Sequence, residues 1–113
     1  MKRRRVLWAE VARRDLEGIV DHLATDSPRA ALDTLDRLEG RARSLTTMAE
    51  RGRVVPELAR LHIRQYRELV IAPYRVIYRP TPTEVVAVAV FDGRRSLEDV
   101  LLDRLVRASE GGE

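Results

Sequence analysis

The chain has 113 residues, 44% hydrophobic and 35% charged, with a formal net charge of +3 and no cysteine. That length suits a single domain spanning residues 1–113, and the composition is that of a globular chain. The lack of cysteine excludes disulfides, thiolate metal sites and cysteine nucleophiles, and no apolar run approaches the roughly 18 residues of a membrane span.

The charge is unevenly placed. Met1-Lys2-Arg3-Arg4-Arg5 has the charge of a signal-peptide start, but Glu10, Arg13, Arg14 and Asp15 follow where an apolar stretch would be needed, so a cytoplasmic location is expected. Between Glu50 and Arg79, seven arginines stand against three acids, Glu50, Glu57 and Glu68. A basic middle of this kind favours a polyanionic or acidic partner. Lys2 is the only lysine. A compositional bias explains that as readily as a need for the arginine fork, which suits phosphate and carboxylate.

In chain order, residues 4–9 read as a first strand. Glu10 to Ala24 reads as a helix, with Val11, Leu16, Ile19, Val20 and Leu23 on one stripe. Asp26-Ser27-Pro28 breaks it, and Ser27 followed by Pro28 supplies an N-cap and a first-turn proline for a second helix. That helix carries Ala31, Leu32, Leu35, Leu38, Ala42, Leu45 and Met48 at spacings of three and four, and ends before Gly52. The short break makes the two helices a hairpin with one apolar face. Residues 53–58 read as an irregular extended entry, since Pro56 argues against a central strand. Three strands are expected next, at about 65–71, 74–79 and 84–91, the last two joined by the Pro80-Thr81-Pro82-Thr83 turn as an antiparallel hairpin. The third, Val85-Val86-Ala87-Val88-Ala89-Val90-Phe91, is apolar on both faces, so both sides of the sheet should be covered there. Ser96 caps a last helix over 97–108, with Leu97, Val100, Leu101 and Leu105 as its stripe, and the tail from Glu110 should fray. The fold class is α+β: a strand, a two-helix hairpin, a three-stranded antiparallel sheet and a C-terminal helix.

Several segments together resemble one family. Residues 10–19, with an alanine, Asp15-Leu16 and then Ile19, look like the opening helix of ParE-type toxins. Gly52-Arg53-Val54-Val55-Pro56-Glu57-Leu58 resembles their loop before the sheet. Tyr66-Arg67-Glu68-Leu69, Pro73-Tyr74-Arg75-Val76-Ile77-Tyr78-Arg79 and Val90-Phe91-Asp92-Gly93-Arg94-Arg95 resemble their strands. The resemblance to the RelE/ParE toxin superfamily covers nearly the whole chain in order, and is nearest to the ParE type. It implies the toxin of a type II toxin–antitoxin pair, neutralised by an acidic antitoxin that commonly carries a DNA-binding domain, so that DNA contact comes through the partner. It also implies one of two targets. ParE members inhibit DNA gyrase, and RelE members cleave messenger RNA in the ribosome.

RNA cleavage by 2′-hydroxyl attack needs a general base, a general acid and cations on the phosphate. Arg53, Arg67, Arg75 and Arg94 are the candidate cations and His62 the candidate acid–base group. Arginine hardly deprotonates, and no tyrosine or histidine follows Arg94-Arg95-Ser96, where many RelE-type enzymes carry one near the C-terminal end. This departure moves the expectation towards ParE-like target binding through Arg67, Arg75, Arg79, Arg94 and Arg95. Each of these arginines also has an ordinary use, in pairing with Glu57, Glu68 or Asp92 or in facing water. The two-faced apolar strand suggests an antitoxin surface of Val86, Val88 and Val90 with Leu97 and Leu101, in which the antitoxin covers the sheet or competes with the last helix. Tyr74, Tyr78 and Trp8 are expected in packing roles, and His22 in a surface or helix-packing role. No cofactor or metal site is expected.

Overall fold

A computed structural model describes residues 3–111, with the backbone alone for 107–111; Lys2 of the basic start and the last two residues of the tail lie outside it. The elements are β1 (Arg5–Trp8), α1 (Glu10–Ala24), α2 (Pro28–Arg43), a 3₁₀ turn (Ser44–Thr46), β2 (Arg53–Val54), α3 (Pro56–Ala59), β3 (Arg67–Ile71), β4 (Tyr74–Pro80), β5 (Glu84–Asp92) and α4 (Leu97–Gly111).

Local chemistry sets the helix boundaries. The Thr25 hydroxyl donates to the carbonyl of His22 at 2.7 Å and closes α1. The Ser27 hydroxyl accepts from Ala30 N–H at 3.1 Å, with Pro28 in the first turn of α2, where its missing N–H is not needed. Ser96 does the same for α4, accepting from Asp99 N–H at 3.1 Å, and Glu98 and Asp99 sit in the first turn at the positive end of the helix dipole. α4 runs to Gly111, past the expected end at Ala108, so Glu110 is still helical.

The sheet has five strands in the order β1-β5-β4-β3-β2, where three had been expected. The core meander β3-β4-β5 is antiparallel as the turns require. β1 adds to the outer edge of β5 in parallel, which the crossing of the helix hairpin allows. On the other side Arg53–Val54 forms a two-residue edge strand on β3. Pro56 does not interrupt a strand there, because it begins the single turn of α3, again as a first-turn proline.

Both faces of the sheet are covered. On one, Ala12, Leu16 and Leu38 of the hairpin pack on Val76, Tyr78, Val85 and Val90, with Trp8 and Tyr74 partly buried beside them. On the other, α3 and the start of α4 bring Leu58, Leu97 and Val100 onto Ile77, Ala89 and Phe91. β5 serves both cores through a bulge: Tyr78 pairs with Ala87 and Ile77 with Ala89, so Val88 has no partner on β4. The extra residue reverses the alternation of side chains. Ala87 and Val90 therefore belong to the core under the hairpin, and Val88 and Ala89 to the one under α4.

Beyond the last residue paired with β1, two side chains take up backbone groups of β5. Asp15 of α1 accepts from Val90 N–H at 3.0 Å, and Arg104 of α4 donates to the Val88 carbonyl at 3.2 Å. Arg104 and Asp15 also form an ion pair, so α1, β5 and α4 meet at one polar joint.

Candidate functional site

Two regions gather the charged side chains. The first is buried where α3 crosses β3 and β4. Arg75 is 8% exposed and lies over the Phe91 ring, 5.1 Å from its centroid. Its guanidinium grips Glu57 with two hydrogen bonds of 2.9 Å and donates from Nε to Glu68 at 2.7 Å. Glu68 is 1% exposed, and its other oxygen accepts from Arg53 Nε at 2.5 Å. The Arg75 guanidinium holds the Glu57 carboxyl down at about 2, and the two carboxylates hold Arg75 above its ordinary value. Such a cluster tolerates burial because each charge is paired and hydrogen-bonded.

Next to it, Tyr78 locks the loop before the sheet. Its hydroxyl donates to the Ala49 carbonyl at 2.8 Å and accepts from Gly52 N–H at 3.0 Å. Burial pushes that phenol up. Gly52 has no room for a side chain, because a Cβ there would sit 2.5 Å from the Glu68 carbonyl oxygen. Arg67 donates to the Gly52 carbonyl at 2.8 Å and to that of Glu50 at 3.3 Å.

The second region is an open groove of about 340 Å³ between α1, the end of β5 and the start of α4. Arg14, Gly18 and His22 line one wall, and Tyr74, Asp92 and Arg95 another. The turn Asp92-Gly93-Arg94-Arg95 shapes its end. Asp92 accepts from the backbone and side chain of Arg94 at 2.9 and 3.0 Å, and Arg94 holds its carboxyl down at about 2. Gly93 N–H donates to the Pro73 carbonyl at 2.6 Å, which ties the turn to the β3–β4 connection.

The residues singled out in the sequence divide between these regions and the surface. Arg53, Arg67 and Arg75 converge, but on carboxylates and carbonyls of the chain itself. Arg79 is exposed and has no ion pair among the described residues. Arg94 is exposed on its Asp92 pair, and Arg95, on the groove wall, pairs with Asp103. His62 is exposed at a positive φ of 65° after α3. Val86 and Val88 are partly buried, Val90 and Leu97 are buried, and Leu101 is 47% exposed. The bulge places Val90 on the opposite core from Val88, so the five residues do not form one surface while α4 is docked. Val88, Leu97 and Leu101 do line a common apolar groove with Val11 and Tyr66, beside the exposed Leu102 and Leu105. Sequence reasoning missed Arg14 and Gly18 as groove residues. Their spacing of four, continued to His22, was the available signal. Among the described residues no helix is long and apolar enough to cross a membrane, and no group of three or more His, Asp or Glu is placed to hold a metal.

The family model described as the ParE toxin of the type II toxin–antitoxin system parDE matches residues 6–97, most of the chain. Among solved structures, a chain of the chromosomal ParDE toxin–antitoxin system from P. aeruginosa is similar, with a TM-score of 0.65 and 21% identity, covering 79% of this chain and 95% of that one. A chain of the RelBE2 toxin–antitoxin complex from Mycobacterium tuberculosis has a TM-score of 0.56 and 22% identity, covering 81% of this chain and 93% of that one. No individually curated protein matches. At these identities the solved structures establish the shared RelE/ParE fold. The family match goes further, and the chain belongs to the ParE toxin family of type II toxin–antitoxin systems.

Proposed function

We propose that the chain, acting as one toxin domain in the cytoplasm, inhibits DNA gyrase by binding it, without catalysis, and is held inactive by a cognate acidic antitoxin with its own DNA-binding domain. The observation that carries this reading is the state of the strand arginines. Phosphate chemistry would need cations with free donors facing the substrate. Arg75 has its donors on Glu57 and Glu68 and Arg67 is on backbone carbonyls, while Arg53, 60% exposed, gives Glu68 only its Nε. The strand and strand-end cations at the surface, Arg79, Arg94 and Arg95 with the outer part of Arg53, suit contact with an acidic protein surface. The exposed apolar side of α4, with Leu101, Leu102 and Leu105, and the groove containing Val88 suit an antitoxin segment. Leu97 lines that groove as well, whereas Val86 and Val90 lie outside it.

A second reading, ribosome-dependent cleavage of messenger RNA, is favoured by one feature. His22 and Tyr74, both able to move a proton, share the open groove with Arg14 and Arg95. Two assays on the purified toxin separate the readings: supercoiling of relaxed plasmid by gyrase, and cleavage of messenger RNA on stalled ribosomes. The gyrase reading expects supercoiling to stop and transcripts to stay intact. Transcripts cut at the ribosomal A site, with supercoiling unaffected, overturn it.

A further inference from the structure

α1 carries a glycine in its middle that its own fold does not require. Gly18 is exposed, and a Cβ built there would have no atom of the chain within 4 Å. A glycine inside an exposed helix is destabilising relative to alanine, because its backbone gives up more freedom on folding. Neither a turn nor a close internal contact offsets that here. Gly18 instead lines the open groove, between Arg14 one turn before it and His22 one turn after it. Residues four apart stand in line along a helix. The row therefore presents a guanidinium, a gap and an imidazole.

The charges lining the groove differ in how firmly they are held. Two carboxylates line it, but Asp15 is held by Arg104 and by Val90 N–H, and Asp92 is held by Arg94. The cations are less committed. Arg14 reaches Glu10 at 3.2 Å along the helix surface, with the two side chains 73% and 69% exposed, a pairing that solvent weakens. Arg95 pairs with Asp103 in a half-exposed contact. The remaining wall is apolar, formed by Ile19, Val90, Phe91 and Val100. A phosphate ligand would use the cations and leave this wall idle. A polypeptide segment that carries both a carboxylate and an apolar side chain uses both.

We infer that this groove is the surface by which the toxin grips its target, and that its occupant is an acidic polypeptide segment of the target protein whose main chain crosses α1 at Gly18. A carboxylate of that segment lies among Arg14, His22 and Arg95. The inference rests on the reading of the chain as a protein-binding inhibitor of DNA gyrase. Gly18 sets how closely the segment approaches, and the apolar side of α4 is left to the antitoxin.

The test uses purified toxin as wild type, Gly18→Ala, Gly18→Leu and Arg14→Glu. Each is measured for thermal melting, for binding to purified gyrase and for binding to a single-stranded RNA oligonucleotide. Because the space at Gly18 is open, Gly18→Ala should melt above wild type and Gly18→Leu should stay folded. Even so, both should bind gyrase more weakly, the leucine variant tenfold or more, and Arg14→Glu should lose a similar factor. RNA binding should be unchanged across the set. If folded Gly18→Leu binds gyrase as wild type does, the inference is overturned while the gyrase reading stands. If Arg14→Glu loses RNA binding tenfold with gyrase binding intact, the groove serves nucleic acid and the inference is overturned. If wild type does not bind gyrase at all, the gyrase reading fails and the inference fails with it.

Discussion

Replacing Glu57 with glutamine tests the buried ion cluster. Arg75 and Glu57 are joined by two hydrogen bonds of 2.9 Å, with side chains only 9% and 16% exposed. The guanidinium holds the Glu57 carboxyl at about 2, against 4.5 for the free side chain. A carboxylate whose pKa is lowered by folding stabilises the fold above its unfolded value, and that stability is lost as pH falls through the folded one. The full linkage is worth about 3 kcal/mol at neutral pH, and the residual exposure of the pair brings it nearer to about 2 kcal/mol. Glutamine keeps the shape and one acceptor oxygen but removes the charge, leaving Arg75 with Glu68 as its only carboxylate partner. Urea unfolding of wild type and Glu57→Gln, repeated from pH 7 to pH 2, reads the effect. The variant should be less stable by about 2 kcal/mol at pH 7, and the gap should close between pH 4.5 and about 2. The difference cancels the acid titration of other carboxylates, including Asp92, which Arg94 also holds at about 2. A gap that stays constant over that range, or no gap at pH 7, refutes the reasoning.

Tyr78→Phe removes the hydroxyl that serves Ala49 and Gly52 and leaves both buried groups unpaired; it should cost about 1–3 kcal/mol in denaturant unfolding, and a wild-type midpoint would contradict the assigned bonds. Gly52→Ala puts a Cβ 2.5 Å from the Glu68 carbonyl and 2.6 Å from the Tyr78 hydroxyl, so it should lower the melting temperature even though the residue has no positive φ. Arg104→Met frees the Val88 carbonyl and the Asp15 pairing while keeping the apolar stem. Amide exchange in α4 beyond Val100 should then speed up, about tenfold for a loss of about 1.4 kcal/mol, with β4 and β5 amides unchanged. Equal exchange in the two proteins would mean that packing alone holds α4.

Much of the architecture was legible because local signals agreed with each other. Apolar spacing and the Asp26-Ser27-Pro28 break gave α1 its bounds and α2 its start, and a strand apolar on both faces required cover on both sides. Pairing partners remote in sequence were not legible. Nothing local says that residues 5–8 join β5 in parallel, or that Pro56 begins a helical turn beside a two-residue strand. The bulge at Val88 is equally silent in the sequence. Val86, Val88 and Val90 follow a period of two, which in a regular strand puts them on one face, yet one unpaired residue sends Val88 and Val90 to opposite cores. The arginines show the same limit for the candidate site. Their number and sign were visible, but the convergence of Glu57 and Glu68 on Arg75 depends on how α3 crosses the sheet. The groove cations Arg14 and Arg95 come from ends of the chain that only the fold brings together.

The most direct test of the account is the rate at which gyrase supercoils relaxed plasmid in the presence of the purified toxin, with and without the product of the adjacent open reading frame. The account predicts that supercoiling stops at saturating toxin and returns when the neighbouring protein is added in equal amount. Supercoiling at its normal rate under saturating toxin, with ribosome-bound messenger RNA cut in a parallel reaction, would contradict it.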